Sequence, residues 1–339
     1  MTATRGLAIG GPYPVLVQLA RDAERRGFDA VWISETTSDS IVAATVLAQH
    51  TERIQIGTNV TLAFPRSPTI TAMAAWDLNE LSGDRFVLGL GSQVRRIIEE
   101  RFSAAFDQPA ARMAEYVQAM RTVWRQRRGE DVTFDGDIYR VLRGPLGGAS
   151  PAVDRAMPRV YVAAVGPLMT ATAATHADGW LGHPFTSLAF VDLQRPRIDE
   201  ALAAAGRPRD SFTVCTSLIV CISDDRDTAV REAKGQIAFY GTTPNYRRVV
   251  ASGGDGHLTG ELRRVWATTA HDLDALIAAV PDDVVERYAV AGTPDEVRDR
   301  LEAYAHRVDH VILGGAWYRV PAGRIAENLS AIIDTFGPI

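Results

Sequence analysis

Two predicted strands in the segment 53–93 end in residues suited to ligand binding. RIQIGTNV alternates, is rich in Ile and Val, and ends in Asn59 and Val60, whereas RFVLGLG is followed by Ser92 and Gln93. Ligands of parallel sheets bind at the carboxyl ends of the strands, so these four residues are predicted to line a site. Between the strands, Pro68 opens a helix with apolar residues at Ile70, Met73, Ala74, Leu78 and Leu81.

A second feature is a strand, RVYVAAVG, that runs directly into a helix beginning with Pro167. Backbone N–H groups at a helix N-terminus attract anions, so this turn is a candidate phosphate site. The alternative is a tight strand-to-helix turn with no ligand. The residues expected at the site are Ala164, Val165, Gly166, Leu168 and Met169.

Two titratable residues also follow predicted strands. Glu35 comes after the second strand and His183 after the sixth, where each has the chemistry of an acid or base. Their alternatives are a solvated carboxylate at a helix entry and a surface or packing histidine. Trp180, Trp317 and Tyr318 lie near strand ends too, where core packing is favoured over a role in an apolar substrate pocket.

Other chemistry is not supported by the motifs. The seven histidines form no HxH or HExxH pattern, so no metal site is predicted. The GLG run lacks the third glycine of a dinucleotide fingerprint and follows the fourth strand, not the first. Cys215 and Cys221 share one predicted strand and stand roughly 20 Å apart, so they are expected to be core thiols without a disulfide.

The composition is that of a globular enzyme. The chain has 339 residues, 46% of them hydrophobic and 23% charged, with a formal net charge of −5. That charge gives no broad attraction to nucleic acid or anionic membranes, and no stretch approaches the roughly 20 apolar residues of a membrane span. A cytoplasmic protein with a small-molecule substrate is expected.

These candidate residues require a scaffold of alternating strands and helices. Short apolar strands and amphipathic helices repeat along the chain, which predicts one (β/α)8 TIM barrel over residues 1–339. The eight predicted strands contain GLAIG, AVWIS, RIQIGTNV, RFVLGLG, RVYVAAVG, DGWLGH, SFTVCTSLIVCIS and residues 309–313.

Two insertions are expected in this barrel. Residues 131–158 include VTFDGDIYRVL, which is typical of a hairpin with a tight turn at Asp135-Gly136. Residues 223–290 combine a helix over 227–239 with the Gly-rich run ASGGDGHLTG, predicted to be a mobile or inserted segment.

Five segments together resemble the luciferase-like superfamily, and more closely its branch that uses the deazaflavin coenzyme F420. They are GFDAVWISE, RIQIGTNVT, the run from SPTITAMAAWDLNEL to SGDRFVLGLGS, YVAAVGP followed by ADGW, and AGTPDEVRDRL. Their span covers most of the barrel.

The resemblance implies specific roles for the candidate residues. It implies a cis peptide bond between Asn59 and Val60 behind the cofactor ring, and hydrogen bonds from Ser92 and Gln93 to the cofactor. Related enzymes often carry an Asp-His pair where this chain has Glu35-Thr36, so the carboxylate is kept and the histidine is lost. His183 is a candidate to take over the proton role.

The sequence therefore predicts a coenzyme F420-dependent oxidoreductase that transfers a hydride between the deazaflavin C5 and a small organic substrate. An FMN-dependent luciferase-like monooxygenase and a non-catalytic ligand-binding barrel are the alternatives. A homodimer is also expected, with its face on the helices after strands two to four.

Overall fold

A computed structural model describes residues 3–145 and 154–337. The strands are β1 Thr4–Ile9, β2 Ala30–Ile33, β3 Gln55–Thr58, β4 Thr61–Leu62, β5 Phe86–Gly91, β6 Phe134–Asp135, β7 Arg140–Val141, β8 Arg159–Ala163, β9 Gly179–Gly182, β10 Thr213–Ile222, β11 Ala289–Gly292 and β12 His310–Gly314.

Eight of these strands close into a parallel barrel. The order is β1, β2, β3, β5, β8, β9, β10 and β12, and β12 pairs again with β1. The predicted (β/α)8 TIM barrel is confirmed, and the carboxyl ends of all eight strands meet at one mouth.

Helices surround the barrel. They are α1 Tyr13–Arg25, α2 Ser40–Ala48, α3 Pro68–Leu81, α4 Arg95–Phe102, α5 Pro109–Arg127, α6 Pro167–His176, α7 Leu188–Ala204, α8 Arg226–Gly241, α9 Arg247–Ser252, α10 Leu258–Thr268, α11 Leu273–Ala278, α12 Asp282–Tyr288, α13 Pro294–Ala305 and α14 Ala322–Phe336. The short helix α4 was not expected from the sequence. In the described residues, no helix is long and apolar enough to cross a membrane.

Trp32 of β2 is the largest side chain of a buried cluster that it forms with Ala30, Val87, Tyr161, Leu181, Cys215 and Ile312. Its ring stacks near Tyr161 with centroids 6.0 Å apart. A Cβ at Gly57 would lie 2.3 Å from the Trp32 ring and one at Gly6 2.5 Å from its Nε1, so both neighbouring strands need glycine there. Both cysteines are buried in β10, as predicted.

The helix predicted to open at Pro68 is confirmed as α3. Its buried face includes Thr71, Ala72, Ala75, Trp76 and Leu78. Of the apolar residues named from the sequence, Leu78 is buried, whereas Ile70, Met73 and Leu81 are exposed by 59%, 48% and 54%. Apolar character alone therefore did not identify which face of this helix is buried.

The predicted hairpin exists as β6 and β7, but its turn is different. Asp135 pairs with Arg140 inside the ladder, and a four-residue loop over 136–139 connects the strands. The Glu115 carboxylate of α5 accepts hydrogen bonds from the backbone N–H groups of Asp137, Ile138 and Tyr139. A tertiary contact therefore replaces the expected tight Asp-Gly turn. The rest of this predicted insertion includes residues 146–153, which lie outside the described residues.

The second insertion is mostly helical and well anchored. The Gly-rich run lies between α9 and α10, where the buried Asp255 carboxylate accepts two hydrogen bonds from Arg287 of α12. The Tyr288 hydroxyl donates to the Val250 carbonyl at 3.0 Å. The insertion ends in β11, which pairs with the end of β10 and was not predicted because four residues are too few for a clear alternation.

A buried hydrogen-bond chain ties the two ends of the barrel sequence together. The Trp32 indole donates to His310 Nε2 at 3.0 Å, and His310 Nδ1 lies 2.7 Å from Thr4 Oγ1. The Thr4 hydroxyl in turn donates to the Asp309 carbonyl. A neutral imidazole satisfies every partner, whereas a second ring proton would point at the Trp32 N–H. Burial lowers the pKa of His310 to about 4.

We expect the free energy of unfolding to decrease as the pH falls, because of the lowered pKa of His310. A pKa lowered from 6.5 to about 4 stabilises the fold above pH 6.5, and that contribution is lost as the pH falls toward 4. The size is on the order of 3 kcal/mol, at about 1.4 kcal/mol per pKa unit. Urea unfolding of His310→Gln should show a shallower pH dependence than the wild type between about pH 4 and pH 7.

The matched control is His257→Gln, because His257 is exposed. An unchanged slope in His310→Gln would contradict the assignment.

Candidate active site

The mouth of the barrel collects the predicted site residues from different strands. Ser34 and Glu35 follow β2, Asn59 and Val60 follow β3, and Ser92 and Gln93 follow β5. Val165 and Gly166 follow β8, and His183 follows β9. The closed barrel thus brings to one edge residues that lie up to about half the chain apart, as the parallel arrangement requires.

The Asn59–Val60 peptide bond is cis, as predicted. The Asn59 carbonyl accepts a hydrogen bond from Ser34 Oγ at 2.7 Å, and the Val60 carbonyl accepts one from the Glu35 N–H at 3.2 Å. Asn59 Nδ2 donates to Ser217 Oγ of β10 at 2.8 Å. Contacts from two strands therefore hold this segment at the mouth.

The loop after β5 is shaped by its own side chains. A Cβ at Gly91 would lie 2.4 Å from Val60 Cγ2, so glycine lets the strand approach the Asn59–Val60 segment. Ser92 Oγ donates to the Gln93 carbonyl, and Gln93 Oε1 accepts from the Val94 N–H at 3.0 Å. Gln93 is exposed, with a φ of 55°. Both side chains lie at the mouth but bind their own loop.

Glu35 forms a nearly buried ion pair, not a solvated carboxylate. Its oxygens accept from Arg66 at 2.9 Å, from Ser40 Oγ at 2.9 Å and from the Leu62 N–H at 3.4 Å. The side chains of Glu35 and Arg66 are 9% and 23% exposed. Arg66 also donates to Asp39 at 2.7 Å. Glu35 therefore connects Leu62 and Arg66 with Ser40 at the start of α2.

The turn into α6 leaves backbone donors available. Gly166 precedes Pro167 at the first helical position. A Cβ at Gly166 would meet nothing within 4 Å, so the space beside it is open. Among the described residues, no acceptor binds the N–H groups of Val165, Gly166, Leu168 and Met169. This donor set suits a phosphate. Ala164 differs, because its N–H donates to Leu181 and its carbonyl accepts from Trp180.

His183 is held as a neutral imidazole. Its Nδ1 accepts the Phe185 N–H at 3.1 Å. Burial lowers the pKa of His183 to about 3, so the ring is neutral at physiological pH and its remaining proton is on Nε2. The group can donate a hydrogen bond at the mouth. The depressed pKa does not suit a general base that must hold a second proton.

The three aromatic candidates separate into core and surface. Trp180 is fully buried, and its indole donates to the Ala164 carbonyl at 3.0 Å, so it packs in the core. Tyr318 stacks on Phe239 with centroids 4.6 Å apart. Trp317 keeps 48% of its surface exposed beside the mouth.

Several residues of the site carry no sequence signal. Arg66 follows a Phe-Pro pair in a loop, Ser217 is one of many small strand residues, and Tyr240 and Tyr246 lie in the insertion. Their contribution depends on which strands become neighbours. Within residues 3–145 and 154–337, no group of three or more His, Cys, Asp or Glu side chains is arranged to hold a metal ion.

The fold is a (β/α)8 barrel, and the candidate ligand site lies at the carboxyl ends of its strands. The sequence matches the family model for luciferase-like monooxygenases over residues 2–310. The chain belongs to the luciferase-like monooxygenase family.

Two relatives from Mycobacterium tuberculosis strain H37Rv are similar over most of their length. One, described as uncharacterised, is 36% identical over 322 residues and covers 91% of this chain and 94% of its own. The other, described as a putative coenzyme F420-dependent oxidoreductase, is 32% identical over 304 residues, covering 85% and 86%.

A solved structure shares the fold. It is the coenzyme F420-dependent tetrahydromethanopterin reductase from Methanopyrus kandleri, with a TM-score of 0.80 and 23% identity. The match covers 98% of each chain.

We expect Glu35→Gln to destabilise the protein by about 1–3 kcal/mol, because it removes the charge that Arg66 binds at a nearly buried position. Chemical denaturation at neutral pH measures the effect. Asp39→Asn is the matched control: Asp39 is more exposed, at 37%, and asparagine keeps the helix cap of α2.

The control should lose less stability than Glu35→Gln. Equal losses would show that burial of Glu35 does not strengthen its ion pair.

Proposed function

We propose that this protein is a coenzyme F420-dependent oxidoreductase that transfers a hydride between the cofactor and a small organic substrate. The observation that carries the proposal is a set of backbone N–H groups at the start of α6 that have no acceptor among the described residues. They lie at the same barrel mouth as the Asn59–Val60 segment, in a family whose relatives include a putative F420-dependent oxidoreductase. A deazaflavin supplies hydride chemistry at C5 and lacks the nitrogen through which flavins activate oxygen.

The residues of this chain position the reactants. The N–H groups of Val165, Gly166, Leu168 and Met169 would hold the cofactor phosphate through charge-assisted hydrogen bonds. The Asn59–Val60 segment and the loop of Ser92 and Gln93 would support the ring. The backbone N–H and carbonyl of Ala164 already form hydrogen bonds within the protein. Ala164 therefore contributes only to the shape of the site.

Glu35 and His183 have different roles in this proposal. Glu35 is a positioning residue, since its carboxylate is occupied by Arg66, Ser40 and the backbone of Leu62. His183 donates its Nε2 proton in a hydrogen bond to a substrate oxygen and thereby polarises the bond that gains or loses the hydride. A neutral histidine is suited to that role, because an uncharged imidazole N–H can polarise a carbonyl while it keeps its proton.

The cofactor assignment is tested by titrating the purified protein with coenzyme F420 and, separately, with FMN. Binding of F420 with little response to FMN, followed by fluorescence quenching and by thermal midpoint, is expected. A preference for FMN would instead favour an oxygen-using monooxygenase. No binding of either cofactor would favour the non-catalytic barrel.

Gly166→Val tests the phosphate site directly. The Gly166 backbone has a φ of −87°, which valine accepts, and an added Cβ there would meet no atom within 4 Å. We expect F420 binding to weaken by about ten- to hundredfold, as for the loss of a charge-assisted hydrogen bond.

Gly323→Val is the control, because Gly323 also has open space around it and lies in the first turn of α14. Equal F420 affinity in the two variants would show that the cofactor phosphate does not bind at the turn into α6.

We further propose that the protein is a cytoplasmic homodimer that pairs through α2 and α3. These helices expose apolar side chains on the face turned away from the barrel. The residues are Val42, Ile70, Met73 and Leu81. Apolar patches of this kind mark interfaces when they are contiguous.

Ile70→Glu combined with Met73→Glu should convert the dimer to a monomer in sedimentation equilibrium, because two charges would be buried without partners. Leu193→Glu on α7, where the side chain is 42% exposed, should leave the dimer intact. A monomeric wild type would end this proposal.

A further inference from the structure

Aromatic rings from three separate segments meet at one side of the barrel mouth. They come from the loop after β9, from the end of α8 with the turn that follows it, and from the loop after β12. We call this cluster the aromatic wall, and it consists of His183, Phe185, Phe239, Tyr240, Tyr246 and Trp317.

The wall has the geometry of ring-on-ring packing. The His183 ring stacks on Tyr246 with centroids 4.1 Å apart and meets the edge of Tyr240 at 4.7 Å. Trp317 lies edge-on to Phe239 at 5.0 Å. These are the separations at which aromatic pairs attract each other beyond simple burial.

The wall is open to the mouth. Trp32, Trp76, Trp124 and Trp180 are at most 2% exposed, whereas Trp317 is 48% exposed. His183, Tyr240 and Tyr246 also retain partial exposure. Trp317 therefore presents an indole surface, flanked by partly exposed rings, that no described residue covers.

The members of the wall are uncharged at physiological pH. Burial lowers the pKa of His183 to about 3 and raises the pKa of Tyr240 to about 12. Burial also raises the pKa of Tyr246 above its ordinary value. These uncharged rings offer a charged ligand no ion-pairing partner in place of water.

The exposed indole is held in place by a buried amide. Gln236 of α8 is fully buried, and its Oε1 accepts the backbone N–H groups of Trp317 and Tyr318 at 2.9 and 3.0 Å. Gln236 therefore supports the aromatic wall through its Oε1, and its Nε2 group has no hydrogen-bond partner among the described residues.

We propose that the aromatic wall binds the substrate of the oxidoreductase proposed above, and that this substrate is a flat, uncharged molecule with an aromatic or conjugated ring. Its ring packs against Trp317 and Tyr240, and its carbonyl or hydroxyl oxygen accepts the Nε2 proton of His183. This inference rests on the proposed function for the identity of the ligand as substrate.

Three matched ketones test the ligand class by isothermal titration calorimetry. They are 2-acetonaphthone, its saturated decalin analogue, and its anionic derivative 6-acetyl-2-naphthoate. We expect 2-acetonaphthone to bind about five- to tenfold more tightly than the decalin ketone, through aromatic contacts. The naphthoate should bind more weakly than 2-acetonaphthone. Equal affinities for the flat and saturated ketones, or tighter binding of the anion, would overturn the inference.

Substitutions test whether 2-acetonaphthone binds at the aromatic wall. Trp317→Ala should weaken 2-acetonaphthone binding by about tenfold, whereas Trp317→Phe should keep most of it. Gln236→Leu should also weaken it, because the loop that carries Trp317 loses its support. Leu193→Ala, at an exposed position on α7, is the control with unchanged affinity. Thermal midpoints verify that each variant folds, and unchanged binding in Trp317→Ala would overturn the inference.

Cofactor titration separates the two proposals. F420 binding without a preference for the flat ketone would overturn this inference alone. A preference for the flat ketone without F420 binding would overturn the proposed function and, with it, the identity of the ligand as substrate.

Discussion

The filling of the barrel interior is the constraint on which the rest of the structure depends. Eight parallel strands enclose a space that must be packed, and Trp32 fills much of it against glycines of β1 and β3. Its indole N–H is satisfied by His310, which ties the first strands to the last. Val87, Tyr161, Leu181, Cys215 and Ile312 pack around Trp32. The site therefore forms at one end of a packed core, not in a pore.

The mouth combines a polar sector and an aromatic sector. On the polar side, Arg66 binds the carboxylates of both Glu35 and Asp39, which leaves one net negative charge on these three residues. On the aromatic side, His183 is neutral because burial disfavours its charged form. A site of this kind favours chemistry in which orientation and exclusion of water matter more than proton transfer by a strong acid or base. Hydride transfer to or from a bound cofactor has those requirements.

Glu35 illustrates how a residue can be located correctly while its surroundings stay unknown. Its place after β2 follows from the alternation of strands and helices. Its ion pair with Arg66 does not, because Arg66 lies 31 positions along the chain in a loop with no regular pattern. The insertion behaves in the same way: its Gly-rich run predicted a mobile or inserted segment, but not the hydrogen-bonded ion pair between the buried Asp255 and the partly exposed Arg287.

The sequence by itself determined the barrel, the order of its eight strands and the edge that carries the candidate site, because strand and helix periodicity is local and parallel strands leave little choice of topology. It also determined the position of the cis bond through the resemblance of RIQIGTNVT. Only the tertiary structure decided which face of α3 is buried, how Glu115 shapes the hairpin, that β11 joins the sheet, and that the aromatic wall exists. These depend on contacts between residues far apart in the chain, where packing and desolvation outweigh local preference.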